Sequence, residues 1–122
     1  MVLFCRSTEV SREWYAKLGF EYLRGFDGMH WFRLGEGELM LHPTDGEPQP
    51  QGTILHAAVS DVDTYFRYVV SLGYTPVDHQ RDGAKALSEP VTRPWGDREF
   101  ELTDPDGQRW AFTERHWTGG SF

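Results

Sequence analysis

Apolar positions along the chain switch between two spacings, and these switches predict alternating strands and helices. Period-two alternation is typical of half-buried strands, whereas recurrence at three and four residues is typical of amphipathic helices. Strands are predicted over residues 2–5, 20–26, 29–34, 38–42, 53–59, 75–79, 98–102 and 109–114. Helices are predicted over about residues 9–17 and 62–72. Their sheet-facing positions are predicted to be Val10, Trp14 and Leu18 in the first helix, and Val62, Phe66, Val69 and Val70 in the second.

The two helices belong to a degenerate internal repeat. Leu18-Gly19-Phe20 recurs as Leu72-Gly73-Tyr74, and each glycine occupies the position just past a helix end that glycine prefers. Ser7 or Thr8 is a suitable N-cap for the first helix, and Ser60 or Asp61 for the second. The pattern is therefore one strand, one helix and three strands, written twice. Residues 43–52 form the linker, and residues 84–95 form an extended crossing segment.

Composition narrows the classes of function. A chain of 122 residues is the size of one domain, and its net charge of −7 argues against nucleic-acid binding. The charge favours a cationic ligand, although solubility alone is an adequate reason for it. No apolar run approaches membrane length. Cys5 is the only cysteine, which fits a buried thiol in a reducing cytoplasm, so a cytoplasmic location is expected.

The stretch from Arg93 to Phe112 is the most informative part of the sequence. It reads as a loop, a strand, the tight turn Asp104-Pro105-Asp106-Gly107 and a second strand. The string PWG-x-REF-x-L-x-DPDG resembles the last hairpin of the vicinal-oxygen-chelate superfamily, with the closest likeness to bleomycin-resistance proteins. VLFCRSTEVSREWYAKLGF and GEGELMLHP are similar to the opening strand, helix and turn and to the fourth strand of the same proteins.

The resemblance implies an α+β fold in which two βαβββ modules form a curved mixed sheet. Within a single domain 1–122, module one spans about 1–42 and module two about 53–116. It also implies a homodimer. Enzymes of the superfamily hold a divalent metal with four side chains, and three of those positions fall on Met40, Ile54 and Ala111. Since none of these three is a good ligand for a hard cation, neither metal nor cofactor is expected.

The remaining functional expectations also follow from the resemblance. Bleomycin-resistance proteins stack aromatic rings on flat parts of the drug, which predicts a metal-independent, non-enzymatic protein that sequesters a planar, cationic antibiotic or natural product. The predicted ligand-binding residues are Trp95, His56, His42, Trp31, Phe32, Met40, Ile54, Arg98 and Ala111, with one of Trp31 and Phe32 facing the core instead. Two alternatives stay open. One is a metal-dependent glyoxalase- or dioxygenase-like enzyme that uses His42 and His56, and the other is a carrier or self-resistance protein for another natural product.

Overall fold

The computed structural model describes residues 1–48, 52–79 and 85–115, which fall into two compact units. Unit 1 comprises Met1–Thr53 and Thr103–Gln108, and unit 2 comprises Ile54–Leu102 and Arg109–Phe122. Part of the predicted linker (49–51), the first residue of the predicted crossing segment (84) and the last residue of predicted module two (116) lie outside the described residues.

Unit 1 is a four-stranded mixed sheet with one helix. Its elements are β1 (Val2–Cys5), α1 (Thr8–Lys17), β2 (Tyr22–Phe26), β3 (Met29–Leu34) and β4 (Gly37–Pro43). The strand order is β1-β4-β3-β2, with β1 parallel to β4 and the other pairs antiparallel. Alternate strand residues are buried on the α1 side; the fully buried apolar side chains of this unit are Cys5, Tyr15, Leu18, Phe32, Leu39 and Leu41.

Helix α1 buries a different stripe from the one that its apolar spacing predicted. Leu18 is buried, but Val10 is 55% exposed, and Ser11 and Tyr15 lie on the buried face. The reason is polar. The Ser11 and Tyr15 hydroxyls donate to the carboxylates of Asp106 and Asp104, in the segment 103–108 that belongs to unit 1. Periodicity in hydrophobicity alone does not register such contacts.

Unit 2 repeats the plan of unit 1. Its elements are β5 (Ile54–Ala58), α2 (Val62–Ser71), β6 (Val91–Thr92), β7 (Arg98–Thr103) and β8 (Arg109–Glu114), in the order β5-β8-β7-β6. Strand β5 is parallel to β8. An aromatic cluster joins α2 to this sheet and consists of Tyr65, Phe66, Phe100 and Phe112, whose ring centroids lie 5.3 to 5.9 Å apart.

Two expectations for unit 2 were wrong. Val70 is 45% exposed, so the buried stripe of α2 is Val62, Phe66 and Val69. Residues 75–79 do not form the strand beside β7. Only Val77 makes bridges there, whereas Val91 and Thr92, in the predicted crossing segment, form β6. The α+β class and the duplicated βαβββ order are confirmed, with the strands arranged in two four-stranded sheets.

Local signals at the helix ends operate as the sequence predicts. Ser7 and Asp61 are the N-caps, and their side chains accept hydrogen bonds from the backbone N–H of Val10 and Thr64. Gly19 and Gly73 follow the two helices at φ of 97° and 95°, a left-handed conformation that a Cβ disfavours. Among the described residues, no helix is both long enough and apolar enough to cross a membrane.

Candidate functional site

The face of the unit 1 sheet opposite α1 carries exposed and half-buried apolar side chains. Because side chains alternate along a strand, the positions between the buried residues share this face. We call it the open face; it consists of Val2, Phe4, Arg24, Phe26, Met29, Trp31, Arg33, Glu38, Met40 and His42. Val2 and Phe4 are 48% and 56% exposed. The face therefore offers aromatic and aliphatic contact area within one rigid sheet.

Trp31 lies in the middle of the open face, and the guanidinium of Arg24 packs over its ring. In the strand register it is flanked by Met40 of β4 and Arg24 of β2. The Arg24 guanidinium lies 4.9 Å from the centre of the indole ring. Both of its Nη atoms donate to the Glu38 carboxylate, at 2.7 and 3.2 Å. The ring and the carboxylate together hold a flat cation, by a cation–π contact and a charge-assisted pair.

His42 presents one ring nitrogen to the open face. Its Nδ1 lies 2.7 Å from the Pro43 carbonyl oxygen, which can only accept, so the proton resides on Nδ1. The neutral ring consequently has an acceptor at Nε2. The ring also packs edge-on against Phe4, with centroids 5.4 Å apart.

Unit 2 has a contrasting face opposite α2, where buried charges replace apolar side chains. Five residues there are at most 6% exposed, namely Asp78, Arg93, Glu99, Glu101 and Thr113. We call them the polar cluster. The sequence did reveal that Arg98-Glu99-Phe100-Glu101-Leu102 alternates, but a polar position in such a strand predicts exposure rather than burial.

Arg93 is the centre of the polar cluster. Its guanidinium donates to both Asp78 oxygens, at 2.9 and 3.0 Å, and to Glu99 at 3.3 Å. These hydrogen bonds, with Asp78 first, raise the pKa of Arg93. Its Nε is the one buried side-chain N or O atom that lacks a partner among the described residues.

Glu101, another member of the polar cluster, has its own hydrogen-bond partners, which are Arg109 and His79. It accepts from Arg109 Nη2 at 2.8 Å and from the His79 backbone N–H at 3.1 Å, and the His79 ring lies 3.2 Å away. Long-range partners such as these are invisible to sequence periodicity. That is why sequence reasoning did not identify this group of residues.

His56 is attached to the polar cluster from the exposed side. Its Nδ1 lies 3.3 Å from Thr113 Oγ1, and this hydroxyl donates to Glu99 Oε1 at 3.4 Å. Of the other predicted site residues on β5 and β8, Ile54 is half-buried and Ala111 is 1% exposed, opposite His56 in the register.

Trp95 lies in the turn between β6 and β7. Gly96 N donates to the Arg93 carbonyl at 3.0 Å, and Gly96 has a φ of 103°, so the turn has a defined backbone. The indole is 65% exposed and its Nε1 donates to Asp97 Oδ2 at 3.3 Å. The ring is thus presented to solvent instead of filling the core of unit 2.

Two predicted site residues lie elsewhere. Phe32 is fully buried on the α1 side, against Tyr15 and Tyr22, so Trp31 is the member of the pair on the open face. Arg98 pairs with Asp63 in the first turn of α2, at 2.8 Å. It therefore lies on the helix side of the sheet, away from Glu99, because adjacent strand residues point in opposite directions.

The side chains at the expected metal positions do not fit a hard divalent cation. Met40 offers a thioether, and Ile54 and Ala111 offer no donor atom. Glu114, which is out of phase with Ala111, accepts from the Val62 backbone N–H at 2.8 Å and so caps α2. In the described part of the chain, no group of three or more His, Cys, Asp or Glu side chains could hold a metal ion.

Comparison with known proteins gives a family and a fold. A family model described as "Glyoxalase/Bleomycin resistance protein/Dioxygenase superfamily" matches residues 1–112. No curated protein matches the sequence.

Among solved structures, the chain is similar to a glyoxalase/bleomycin resistance protein/dioxygenase from Nocardioides, at 20% identity and a TM-score of 0.71 over 99% of this chain and 83% of the other. It is similar to a bleomycin-binding protein complexed with bleomycin, at 20% identity and 0.67 over 94% and 95%. It is also similar to a lactoylglutathione lyase from Agrobacterium tumefaciens, at 16% identity and 0.69 over 93% and 90%.

Proposed function

The chain belongs to the glyoxalase/bleomycin resistance protein/dioxygenase superfamily, and we propose that it is a metal-independent binding protein for a flat, cationic small molecule. Membership of the superfamily does not distinguish binding from catalysis, since the structures similar to this chain include a bleomycin-binding protein and a lyase. The observation that carries the proposal is the open face, where Trp31 and Met40 lie side by side and provide apolar contact area. At the position where the enzymes have a metal ligand, Met40 offers no hard donor atom. A bleomycin-type antibiotic is the best named candidate.

The Arg24 contact supports a cationic ligand. Trp31 and Glu38 already bind a planar cation in the form of the Arg24 guanidinium. A ligand with a flat cationic group has the same requirements, namely an aromatic surface and a carboxylate, and would compete with Arg24 for both. The net charge of −7 adds long-range attraction for such a ligand.

The second candidate is a metal-dependent enzyme of the glyoxalase or dioxygenase kind that uses His42 and His56. Two imidazoles without a carboxylate are an incomplete set for the three or four protein ligands that such sites require. His42 and His56 alone therefore do not complete a catalytic metal site of this kind.

Calorimetry of protein treated with EDTA, titrated with metal-free bleomycin and with other planar cationic antibiotics, tests the proposal. Saturable binding of a cationic ligand without metal is the expected result. If no planar cation binds, and added divalent metal binds stoichiometrically, the enzyme takes the place of the binding protein.

A further inference from the structure

A chain of hydrogen bonds connects His56, at the protein surface, to the buried charges of unit 2. His56 Nδ1 lies 3.3 Å from Thr113 Oγ1, and Thr113 Oγ1 lies 3.4 Å from Glu99 Oε1. The other Glu99 oxygen accepts from Arg93 Nη2 at 3.3 Å. Each link joins side chains from a different element: β5, β8, β7 and the turn that follows β6.

Counting protons along this chain fixes the direction of every bond. A carboxylate paired with a guanidinium can only accept, so the single Thr113 hydroxyl proton points to Glu99. The hydroxyl oxygen then has only lone pairs to offer to His56. A bond from His56 Nδ1 requires that Nδ1 carries the ring proton, because the hydrogen bond at one ring nitrogen sets the tautomer.

We propose that Thr113 and Glu99 are positioning residues that hold neutral His56 as the Nδ1–H tautomer, so that its Nε2 is a fixed hydrogen-bond acceptor for a ligand. In the part of the chain that the structure describes, Nδ1 is the only His56 ring nitrogen with a hydrogen-bond partner. Thr113 and Glu99 are 4% and 5% exposed, so water does not compete for their bond.

The ligand chemistry follows from this polarity and rests on the proposed function. An acceptor at Nε2 selects a group with an N–H or O–H donor, such as an amide, an amine or a hydroxyl. It discriminates against a carbonyl or ether oxygen at the same place, because two acceptors facing each other leave both unsatisfied. His42, with Nδ1 bonded to the Pro43 carbonyl, has the same polarity, independently, in unit 1.

Nitrogen NMR of ¹⁵N-histidine-labelled protein tests the tautomer without any ligand. At a pH where the ring is neutral, long-range ¹H–¹⁵N correlations distinguish a protonated pyrrole-type nitrogen from a pyridine-type one. We expect His56 to show a pyrrole-type Nδ1 and a pyridine-type Nε2, the reverse of the tautomer that free histidine prefers in water. The assignment uses the loss of one signal set in His56→Gln.

Three threonine variants give the controls. Thr113→Val keeps the shape but removes the hydroxyl, so His56 should revert toward the Nε2–H tautomer. Thr113→Ser, which restores a hydroxyl, and Thr103→Val, an exposed position on β7, should leave the parental pattern. An Nε2–H tautomer in the parent, or an unchanged pattern in Thr113→Val, overturns the proposal. If Thr113→Val does not fold, the parent and Thr113→Ser spectra still decide it.

The outcome does not depend on the binding function. If His56 is the Nδ1–H tautomer but calorimetry finds no ligand, the proposed function is contradicted, whereas the role of Thr113 and Glu99 in positioning His56 is supported. If bleomycin binds but His56 is the Nε2–H tautomer, the proposed function is supported and the positioning role of Thr113 and Glu99 is contradicted. If bleomycin binds and His56 is the Nδ1–H tautomer, we expect a donor group of the drug to bond to Nε2, so His56→Gln should weaken binding several-fold. Unchanged affinity would contradict the inference that Nε2 accepts a hydrogen bond from the ligand.

Discussion

At the scale of the residue, Trp95 has the properties of a preorganised binding group. Its turn is fixed by a backbone hydrogen bond and by the left-handed Gly96, yet the indole itself is 65% exposed. An exposed ring on a defined backbone loses little conformational freedom when it stacks on a ligand. Trp110, in contrast, is fully buried in the core of unit 2.

Replacement of Trp95 tests this role. We expect Trp95→Ala to weaken ligand binding by about 1–3 kcal/mol, as truncation of an aromatic anchor does, while the midpoint of thermal unfolding changes little. Trp95→Phe keeps an aromatic surface and should retain part of the affinity. Unchanged affinity in Trp95→Ala, or loss of the folded state, would show that the ring is structural.

At the scale of the element, buried ion pairs between Arg93 and two carboxylates lie on the face of the unit 2 sheet opposite α2. Arg93 and its two carboxylate partners are each at most 6% exposed. Removing one partner of a buried ion pair leaves uncompensated charge, which costs about 3–5 kcal/mol. We therefore expect Arg93→Met to lower the free energy of unfolding by an amount in that range, as measured by guanidinium denaturation.

Arg98→Met is the matched control for Arg93→Met. Arg98 also pairs with an aspartate, Asp63, but at 21% and 43% side-chain exposure the pair is accessible to water. Such pairs contribute about 0–1 kcal/mol. Equal destabilisation by the two substitutions would contradict the view that burial sets the importance of Arg93.

The β7–β8 turn predicts a pH effect. Burial raises the pKa of Asp104, whereas the Tyr15 hydroxyl, 2.6 Å away, lowers it by bonding to the ionised form. Because the folded pKa exceeds the unfolded value, the stability that Asp104 contributes is fully present below the unfolded pKa. It is lost as the pH rises through the folded pKa.

Tyr15→Phe should steepen that loss. Without the hydroxyl, the pKa of Asp104 in the folded state rises further. The variant should therefore be destabilised more at neutral pH than below the ordinary Asp pKa. The extra loss at neutral pH should be about 1.5–3 kcal/mol, the contribution of a hydrogen bond to a charged group. Urea unfolding as a function of pH measures the difference. In an Asp104→Asn background the effect of Tyr15→Phe should no longer depend on pH; a dependence that persists there contradicts the assignment.

Local signals in the sequence predicted most of the helices and strands but not the polar cluster of unit 2. Caps, turn glycines and strand alternation involve neighbours in the chain, so Gly19 was predicted correctly, and the caps Ser7 and Asp61 each belong to the predicted pair of candidates. Ser11 and Glu101 are buried because partners distant in sequence satisfy their polar atoms, namely the Asp106 carboxylate and the His79 backbone N–H. No periodic pattern contains that information. The same reason placed Val10 on the wrong face.

At the scale of the whole molecule, exposed apolar side chains of unit 1 favour self-association. Met1, Val2, Phe4 and Phe26 are between 48% and 71% exposed. A two-fold symmetric dimer is the commonest way to cover such side chains, and we propose that the ligand of the open face then binds in a crevice at the dimer interface. We expect sedimentation velocity to show a dimer at micromolar concentration. A monomer throughout that range would contradict the homodimer.

We propose that a flat cation binds on the open face of unit 1 without metal. The most direct measurement uses protein labelled with ¹³C at the methionine methyl groups, treated with EDTA and titrated with metal-free bleomycin. Met40 adjoins Trp31 in the strand register, so a stacked aromatic ligand should shift the Met40 methyl signal by its ring current. We expect a saturable shift of the Met40 methyl that follows the calorimetric binding curve. Binding that leaves the Met40 signal in place, or a shift that occurs only after a divalent metal is added, would contradict metal-independent binding on the open face.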